Sequence, residues 1–189
     1  MSVAPEKPHH KKLPQIVTGF FYDSEDDNQN FTSVVHGISP RSLEFLPFKI
    51  ENVAVLYCCN GLILCWCLGT DVYRYVVYNS STQELKVLPP RIYSVGEAWL
   101  GFDPTASSHF HVFEYMEEDG QCMGVDIYSS KTVVWIFKES KWGEEAEWTL
   151  SKSATVFLNG CLHYIGFYKG YRHTLDVDME GMAWRKISN

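Results

Sequence analysis

A repeat of about 50 residues constrains the fold of this chain more than any other feature of the sequence. Three segments share the order strand, polar turn, strand, and in each of them a large apolar residue follows the turn. These residues are Leu85, Trp135 and Trp184, which are 50 and then 49 residues apart. Glycines at 61 and 160 precede the first and the last of them by the same 24 residues. A period near 50 is typical of kelch-like β-propeller blades.

The composition agrees with a sheet-rich fold, because aromatic residues make up 15% of the chain and 13 Gly and 8 Pro provide turns. We expect an all-β fold, a partial kelch-like propeller of about three to four blades of antiparallel sheet. An up-and-down β-sandwich whose hairpins look alike is the alternative. The predicted strands are 16–22, 31–35, 53–58, 62–67, 73–78, 85–88, 110–115, 123–128, 133–138, 155–158, 161–167, 173–177 and 183–187.

Two segments are predicted to lie outside the strands. Residues 1–13 are rich in Pro, Lys and His without apolar periodicity, so we expect a flexible tail followed by a single domain over residues 14–189. Residues 142–148 contain helix-compatible residues but also a glycine, and we interpret them as a loop.

The charge balance excludes some classes of partner. The chain has 16 Lys and Arg against 23 Asp and Glu, a net charge of -7, which is the wrong sign for a protein that neutralises phosphates. No apolar run approaches the roughly 18 residues of a membrane-spanning helix, and the first residues lack the apolar segment of a signal peptide. We therefore expect no nucleic-acid or membrane partner and a location in the cytoplasm or nucleus.

Four cysteines, Cys58, Cys59, Cys65 and Cys67, form the densest group of metal-ligating residues. Cys65 and Cys67 share a strand face, whereas Cys58 and Cys59 point to opposite faces, and Asn60-Gly61 between the pairs is typical of a hairpin turn. This arrangement fits a four-ligand zinc site poorly. We interpret the cysteines as packed thiols and expect no metal and no cofactor.

His109 and His111 also share one face of a predicted strand, and Glu114 or His163 would have to supply a third metal ligand. Strand histidines more often satisfy a neighbouring carbonyl than bind a metal. The sequence has no nucleophile elbow and no phosphate-binding glycine loop. We expect no enzymatic activity and no catalytic residues, with a metal-dependent enzyme on a propeller scaffold as the alternative.

The aromatic residues fall into two classes. Trp135 and Trp184 hold the repeated position and are interpreted as residues that pack one blade on another. A second class lies in or beside turn-rich stretches together with arginines, as do the residues that anchor protein recognition on loops. The predicted partner-binding residues are Arg91, Tyr93, Trp99, Trp142, Tyr168, Tyr171 and Arg172.

An ordered series of motifs resembles the F-box-associated β-propeller region of plant F-box proteins. The series begins with Tyr-Cys-Cys-Asn-Gly-Leu-Ile-Leu-Cys at 57–65 and the strand, Asn-Ser-Ser-Thr and Leu-Pro-Pro element at 75–90. Leu-Gly-Phe-Asp-Pro at 100–104 and Ser-His-Phe-His-Val-Phe at 108–113 follow, and the series continues to 181. The resemblance extends from about residue 13 to the C-terminus.

This resemblance implies a function. In such proteins a helical F-box docks on the adaptor subunit of an SCF-type ubiquitin ligase, and the propeller binds the target protein. No F-box-like segment precedes residue 13 and a family propeller continues beyond residue 189, so we expect a C-terminally incomplete propeller lacking the F-box. The implied role is target recognition. The alternative is a truncated or degenerate paralogue that binds a target without recruiting the ligase.

Overall fold

Runs of β-branched and aromatic residues, separated by glycine, asparagine and aspartate, place most of the described chain in antiparallel strands. A computed structural model describes residues 19–23, 29–33, 53–68, 73–79, 82, 84–90, 97–118, 121–139, 149–168, 171–181 and 184–188. The chain divides into two compact units, Met1–Phe45 and Leu46–Asn189. The residues predicted as one domain, 14–189, thus fall into two units, and the predicted boundary after residue 13 lies outside the described residues.

The described residues of the first unit form an antiparallel strand pair. Strand β1, Gly19–Asp23, pairs with β2, Gln29–Ser33, from Gly19 opposite Ser33 to Asp23 opposite Gln29. Residues 24–28, which connect the two strands, lie outside the described residues.

The second unit contains three four-stranded antiparallel sheets, in each of which the strands pair in chain order. The first sheet consists of β3 (Val53–Cys59), β4 (Leu62–Leu68), β5 (Tyr73–Asn79) and β6 (Glu84–Val87). The second consists of β7 (Ala98–Gly101), β8 (His111–Glu118), β9 (Gln121–Ser129) and β10 (Val134–Glu139). The third consists of β11 (Thr149–Leu158), β12 (Cys161–Tyr168), β13 (Tyr171–Asp178) and β14 (Trp184–Ser188). The described residues contain no helix that could cross a membrane.

The strand register reproduces the sequence repeat. In the three sheets the third strand pairs with the fourth through Tyr78 and Leu85, Tyr128 and Trp135, and Val177 and Trp184. The large residue after the turn therefore occupies the same place in every sheet. The predicted all-β fold built from 50-residue units is confirmed.

Two of the three turns between the first and second strands are Asn-Gly pairs. Asn60 and Gly61 have φ of 47° and 85°, and Asn159 and Gly160 have φ of 51° and 76°. Both central residues of such a two-residue hairpin turn need positive φ, which asparagine and glycine adopt most readily. The second sheet has a longer loop over residues 102–110 instead, in which Asp103 Oδ1 accepts hydrogen bonds from the backbone and hydroxyl of Thr105.

Two apolar cores hold the three sheets together, and every sheet packs on the next one along the chain. The core between the first and second sheets contains Leu62, Leu64, Tyr75, Val77, Leu88, Ala98, Leu100, Val112 and Tyr128. The core between the second and third sheets contains Trp99, Phe113, Tyr115, Val125, Ile127, Leu162, Tyr164, Leu175 and Val177. The second sheet therefore contributes one face to each core.

The first strands of the three sheets lie next to one another and end at the same edge. Asn60 Nδ2 donates to the Phe102 carbonyl at 2.7 Å, which joins the ends of β3 and β7. Tyr57 OH donates to the Thr155 carbonyl at 2.8 Å and links β3 to β11. Since β7 lies at the centre of this arrangement, all four of its residues are buried.

Trp135 has the packing role predicted from its place in the repeat. Its ring contacts Tyr75 of the first sheet and Tyr128 of its own sheet, with centroids 5.8 and 5.4 Å away. Its indole N–H donates to the Pro89 carbonyl at 3.3 Å. The side chain of Trp184 lies outside the described residues.

The strand predictions differ most from the structure in two places. Strand β7 was not predicted, because four residues ending in glycine give too short an alternation to be recognised. Strand β11 begins at Thr149, whereas the prediction began at residue 155, because Ser151, Lys152 and Ser153 interrupt the apolar pattern. The predicted loop over 142–148 lies outside the described residues.

Candidate partner-binding surface

Each sheet has two edges that carry different connections. We define the upper edge as the side of a sheet where the first strand begins and the lower edge as the side where it ends. Both consist of strand ends and differ from the open side of an outermost strand. The lower edge carries the Asn-Gly turns and the 102–110 loop. The upper edge carries the ends of the second and fourth strands and the beginnings of the first and third strands.

Three of the seven predicted partner-binding residues lie in described strands at the upper edge. Tyr168 ends β12, and Tyr171 and Arg172 begin β13, so all three flank one hairpin. Arg91 and Tyr93 lie between β6 and β7, and Trp142 lies between β10 and β11. These last three positions are outside the described residues, as is the side chain of Tyr168.

Tyr171 and Arg172 are both exposed at this edge. Tyr171 is 73% exposed, which is the largest exposure among the large apolar side chains of the described residues. Arg172 pairs across the hairpin with Phe167, which is exposed as well. An exposed tyrosine, arginine and phenylalanine on two paired strands have the chemistry of residues that anchor a protein interface.

Trp99 does not belong to this surface, and its prediction as a partner-binding residue is wrong. It is 3% exposed, lies in β7 and packs edge-on against Tyr164 with ring centroids 5.2 Å apart. A side chain enclosed between two sheets cannot reach a partner. Its position beside a turn-rich stretch concealed this role, because β7 itself was not recognised from the sequence.

A second exposed apolar surface, on β10, was not predicted from the sequence. Val134, Ile136 and Phe137 are 46%, 49% and 50% exposed, and Val133 in the preceding turn is 49% exposed with φ of 62°. A positive φ is rare for a β-branched residue. The available signal was the apolar run of residues 133–137 in an outermost strand, where charged residues are usual.

The third sheet carries a polar pair on the face that points away from the second sheet. His163 Nδ1 lies 2.7 Å from Asp176 Oδ1, and its Nε2 lies 3.2 Å from the Leu158 carbonyl. In the first and second sheets the residues facing the next sheet are apolar pairs, such as Leu64 with Val77 and Phe113 with Ile127. The third sheet thus presents a different surface, where Val156 and Leu158 are 53% and 55% exposed.

The cysteines have the properties of packed thiols. Cys65 and Cys67 are buried, and burial raises their pKa to about 12 and about 11. Cys58 is exposed, yet burial of its thiol and the neighbouring Cys59 raise its pKa to about 11. Cys59 lies on the other face, where its thiol donates to the Phe102 carbonyl at 3.4 Å and burial raises its pKa. A raised pKa disfavours the thiolate form that nucleophilic catalysis and metal binding require.

The two histidines near β8 do not converge with a third ligand. His111 begins β8, and burial and then the nearby His109 lower its pKa. Glu114 lies on the opposite face of that strand, where its carboxylate accepts a hydrogen bond from Tyr75 OH at 2.8 Å. His163 is paired with Asp176 in the third sheet. The described residues contain no group of three or more His, Cys, Asp or Glu side chains that could hold a metal ion.

Comparisons with known proteins agree with the repeat and with the sheet architecture. Residues 18–178 match the family model of the F-box associated beta propeller domain. An F-box protein of Arabidopsis thaliana is 30% identical over 174 residues, an alignment that covers 82% of this chain and 45% of the relative. The chain therefore spans about half the length of the curated relative it matches. The matched region includes the first two sheets and the first three strands of the third sheet. This chain therefore belongs to the F-box associated beta propeller domain family.

Proposed function

We propose that this domain is a non-enzymatic protein-interaction module that recognises target proteins, as the substrate-recognition region of an F-box protein. The observation that carries the proposal is the upper edge, where Tyr171 and Arg172 are exposed at the beginning of β13. Arg91, Tyr93 and Trp142 stay predicted partner-binding residues and lie outside the described residues. A target would be bound by insertion of aromatic side chains and by charge-assisted hydrogen bonds from arginine.

The similarity to an F-box protein supports target recognition as the role of this domain. In a protein that also carries an F-box, target binding at this edge would bring the target to an SCF-type ubiquitin ligase. The region similar to this chain covers 45% of the relative, and target binding is the share of the activity that we assign to it. The raised pKa values of Cys58, Cys65 and Cys67 are consistent with this proposal, because they oppose nucleophilic chemistry at these thiols.

Proximity labelling in plant cells, followed by binding measurements on purified candidates, tests this function. We expect a target whose affinity falls at least about tenfold with Tyr171→Ala or Arg172→Ala, since anchor residues of this kind contribute 2 kcal/mol or more. The matched control is Lys131→Ala, an exposed residue at the lower edge of the second sheet. Equal loss with the control, or targets that bind both upper-edge variants normally, would count against recognition at this edge.

Recruitment to the ligase is a separate measurement. The purified chain and a fusion with an N-terminal F-box are compared for binding to the adaptor subunit. We expect only the fusion to bind the adaptor while both bind the target. Adaptor binding by the unfused chain would show that this region does more than recognise targets.

A further inference from the structure

Strand β10 is the outermost strand of the second sheet and presents an open edge. It pairs with β9 on one side, and no strand of the described part of the chain lies on its other side. Alternate residues of an edge strand direct their N–H and C=O groups away from the sheet, where they can pair with another extended segment. Proteins usually protect such edges with charged side chains, and lysine is the most common choice.

The equivalent strands of the other two sheets carry that protection and β10 does not. The registers align Leu85, Trp135 and Trp184, which makes Ile136 the counterpart of Lys86 in the first sheet and of Arg185 in the third. By the same alignment Val134 stands where the first sheet has Glu84. The middle of β10 therefore has apolar residues at the two positions where β6 has charges.

The exposed side chains lie on both faces of β10. Val134 and Ile136 point to one face and Phe137 to the other, and each is close to half exposed. Lys138 packs over Gly181 of the third sheet, so the open part of the strand lies before it. A segment that paired with this edge would gain backbone hydrogen bonds together with apolar contacts above and below the sheet, as in recognition by strand addition.

We propose that β10 binds an extended, apolar segment of a partner protein, which adds to the second sheet as a fifth strand. The binding segment has alternating β-branched or aromatic residues, so that its side chains meet Val134 and Ile136 on one face and Phe137 on the other. The net charge of -7 favours segments flanked by lysine or arginine. This inference rests on the proposed function in that the partner is a protein, but it assigns a surface distinct from the upper edge.

A second copy of this chain is the less suitable occupant. Strand β10 has six residues and is therefore about 20 Å long at about 3.3 Å per residue. Pairing of two such edges buries much less than the roughly 1,200–2,000 Å² of stable interfaces between folded proteins. Two copies that each carry a net charge of -7 also repel one another. A peptide flanked by lysine or arginine does not meet this charge repulsion.

The test begins with a phage-displayed library of random 12-residue peptides, selected on the full 189-residue chain. Peptides that survive are synthesised, and their affinities are measured for the natural chain and for the double variant Val134→Glu/Ile136→Lys. This variant gives β10 the residues that β6 already carries, so the strand should still form. We expect peptides with alternating apolar residues whose affinity falls at least about tenfold for the double variant.

A second measurement uses the natural chain alone and does not depend on the folding of a variant. The selected peptides are resynthesised with methyl groups on alternate backbone nitrogens. This removes the hydrogen-bond donors of the added strand and leaves its side chains intact. We expect methylation in one of the two alternating registers to abolish binding and methylation in the other to preserve it. Tyr171→Ala, at the upper edge, should leave peptide binding unchanged.

Each remaining outcome decides against the proposal or separates it from the proposed function. A selection without peptides that depend on Ile136, or peptides insensitive to methylation in both registers, would overturn strand addition. A dimer in sedimentation velocity that the double variant dissociates would replace the peptide by a second copy. Normal peptide binding combined with failure to find an upper-edge target would leave this inference standing and remove the proposed function.

Discussion

Two buried tyrosines in the core between the first and second sheets differ in the hydrogen bonding of their hydroxyl groups. The Tyr75 hydroxyl crosses from the first sheet to the second and donates to the fully buried Glu114 carboxylate. Tyr128 is also fully buried, but its hydroxyl has no hydrogen-bond partner among the described residues. A buried polar group that loses its partner destabilises the fold, whereas removal of one that never had a partner costs little.

The first prediction follows from this contrast. Tyr75→Phe should lower the free energy of unfolding by about 1–3 kcal/mol, because it takes a donor from a buried carboxylate. Tyr128→Phe, a matched change in the same core, should leave stability unchanged or raise it slightly. Urea unfolding followed by tryptophan fluorescence measures both. Equal losses in the two variants would mean that the hydrogen bond from Tyr75 to Glu114 does not account for the effect.

The second prediction concerns thiol reactivity. At pH 8 a thiol with a pKa of about 11 has about a hundredfold less thiolate than one at the ordinary value of 9.0. A more basic thiolate is also more nucleophilic, which offsets about half of this loss in reaction rate on a logarithmic scale. Cys58 should therefore react with iodoacetamide about tenfold more slowly than an ordinary exposed cysteine, and its rate should still rise above pH 9.

Mass spectrometry of alkylated peptides checks the labelling of each site. Cys65 and Cys67 should remain unlabelled in the native protein, because they are buried as well as protonated. Denatured protein, in which every thiol reacts at its ordinary rate, is the control. A labelling rate for Cys58 that levels off near pH 9 would contradict the raised pKa.

Among the elements, β7 shows most clearly what could and could not be predicted from the sequence. The 50-residue period and the Asn-Gly turns predict the number of sheets and the places where their first two strands meet, since both are local signals. Strand β7 and Trp99 were misjudged because four residues carry little periodicity, and burial there depends on the third sheet. The open edge of β10 was missed for the same reason, because exposure is decided by packing that is distant in sequence.

The third prediction addresses the close packing of β7. A Cβ added at Gly101 would lie 2.7 Å from ring carbons of Phe157 and 2.8 Å from Phe113, which is shorter than real side chains allow. Gly101→Ala should therefore destabilise the domain by about 1–3 kcal/mol through overpacking. Phe157→Leu should recover part of that loss when it is combined with Gly101→Ala, although alone it removes apolar contacts.

A double-mutant cycle in urea separates overpacking from a local backbone effect. Gly61→Ala is the comparison, because its added Cβ meets nothing within 4 Å and only its φ of 85° is unfavourable. Simple additivity of Gly101→Ala and Phe157→Leu would show that the aromatic ring is not the cause.

At the scale of the second unit, the middle sheet supplies buried residues to both cores, and Tyr57 of the first sheet also packs against both. Leu100 belongs to the core with the first sheet and Leu175 to the core with the third, and both are fully buried. Since β7 lies between β3 and β11, loss of either core disturbs the strands that form the other. The unit should therefore unfold as one cooperative body.

The fourth prediction tests this coupling. Leu100→Ala and Leu175→Ala should each lower the free energy of unfolding by about 2–5 kcal/mol, and each should retain a single transition. Val156→Ala, at an exposed position, should change stability by no more than about 0.5 kcal/mol. Coincident urea curves from tryptophan fluorescence and far-UV circular dichroism are the measurement. A separate early step in Leu175→Ala would mean that the third sheet unfolds independently.

The packing of each sheet on the next has a consequence for how the protein is made. The face of the first sheet that carries Leu64 and Val77 is complete when Val87 has been synthesised, but its cover ends at Glu139. At about 5–20 residues per second, those 52 residues take a ribosome about 3–10 s. During each such interval a finished apolar face has no covering sheet, so nascent-chain chaperones have a defined surface to protect.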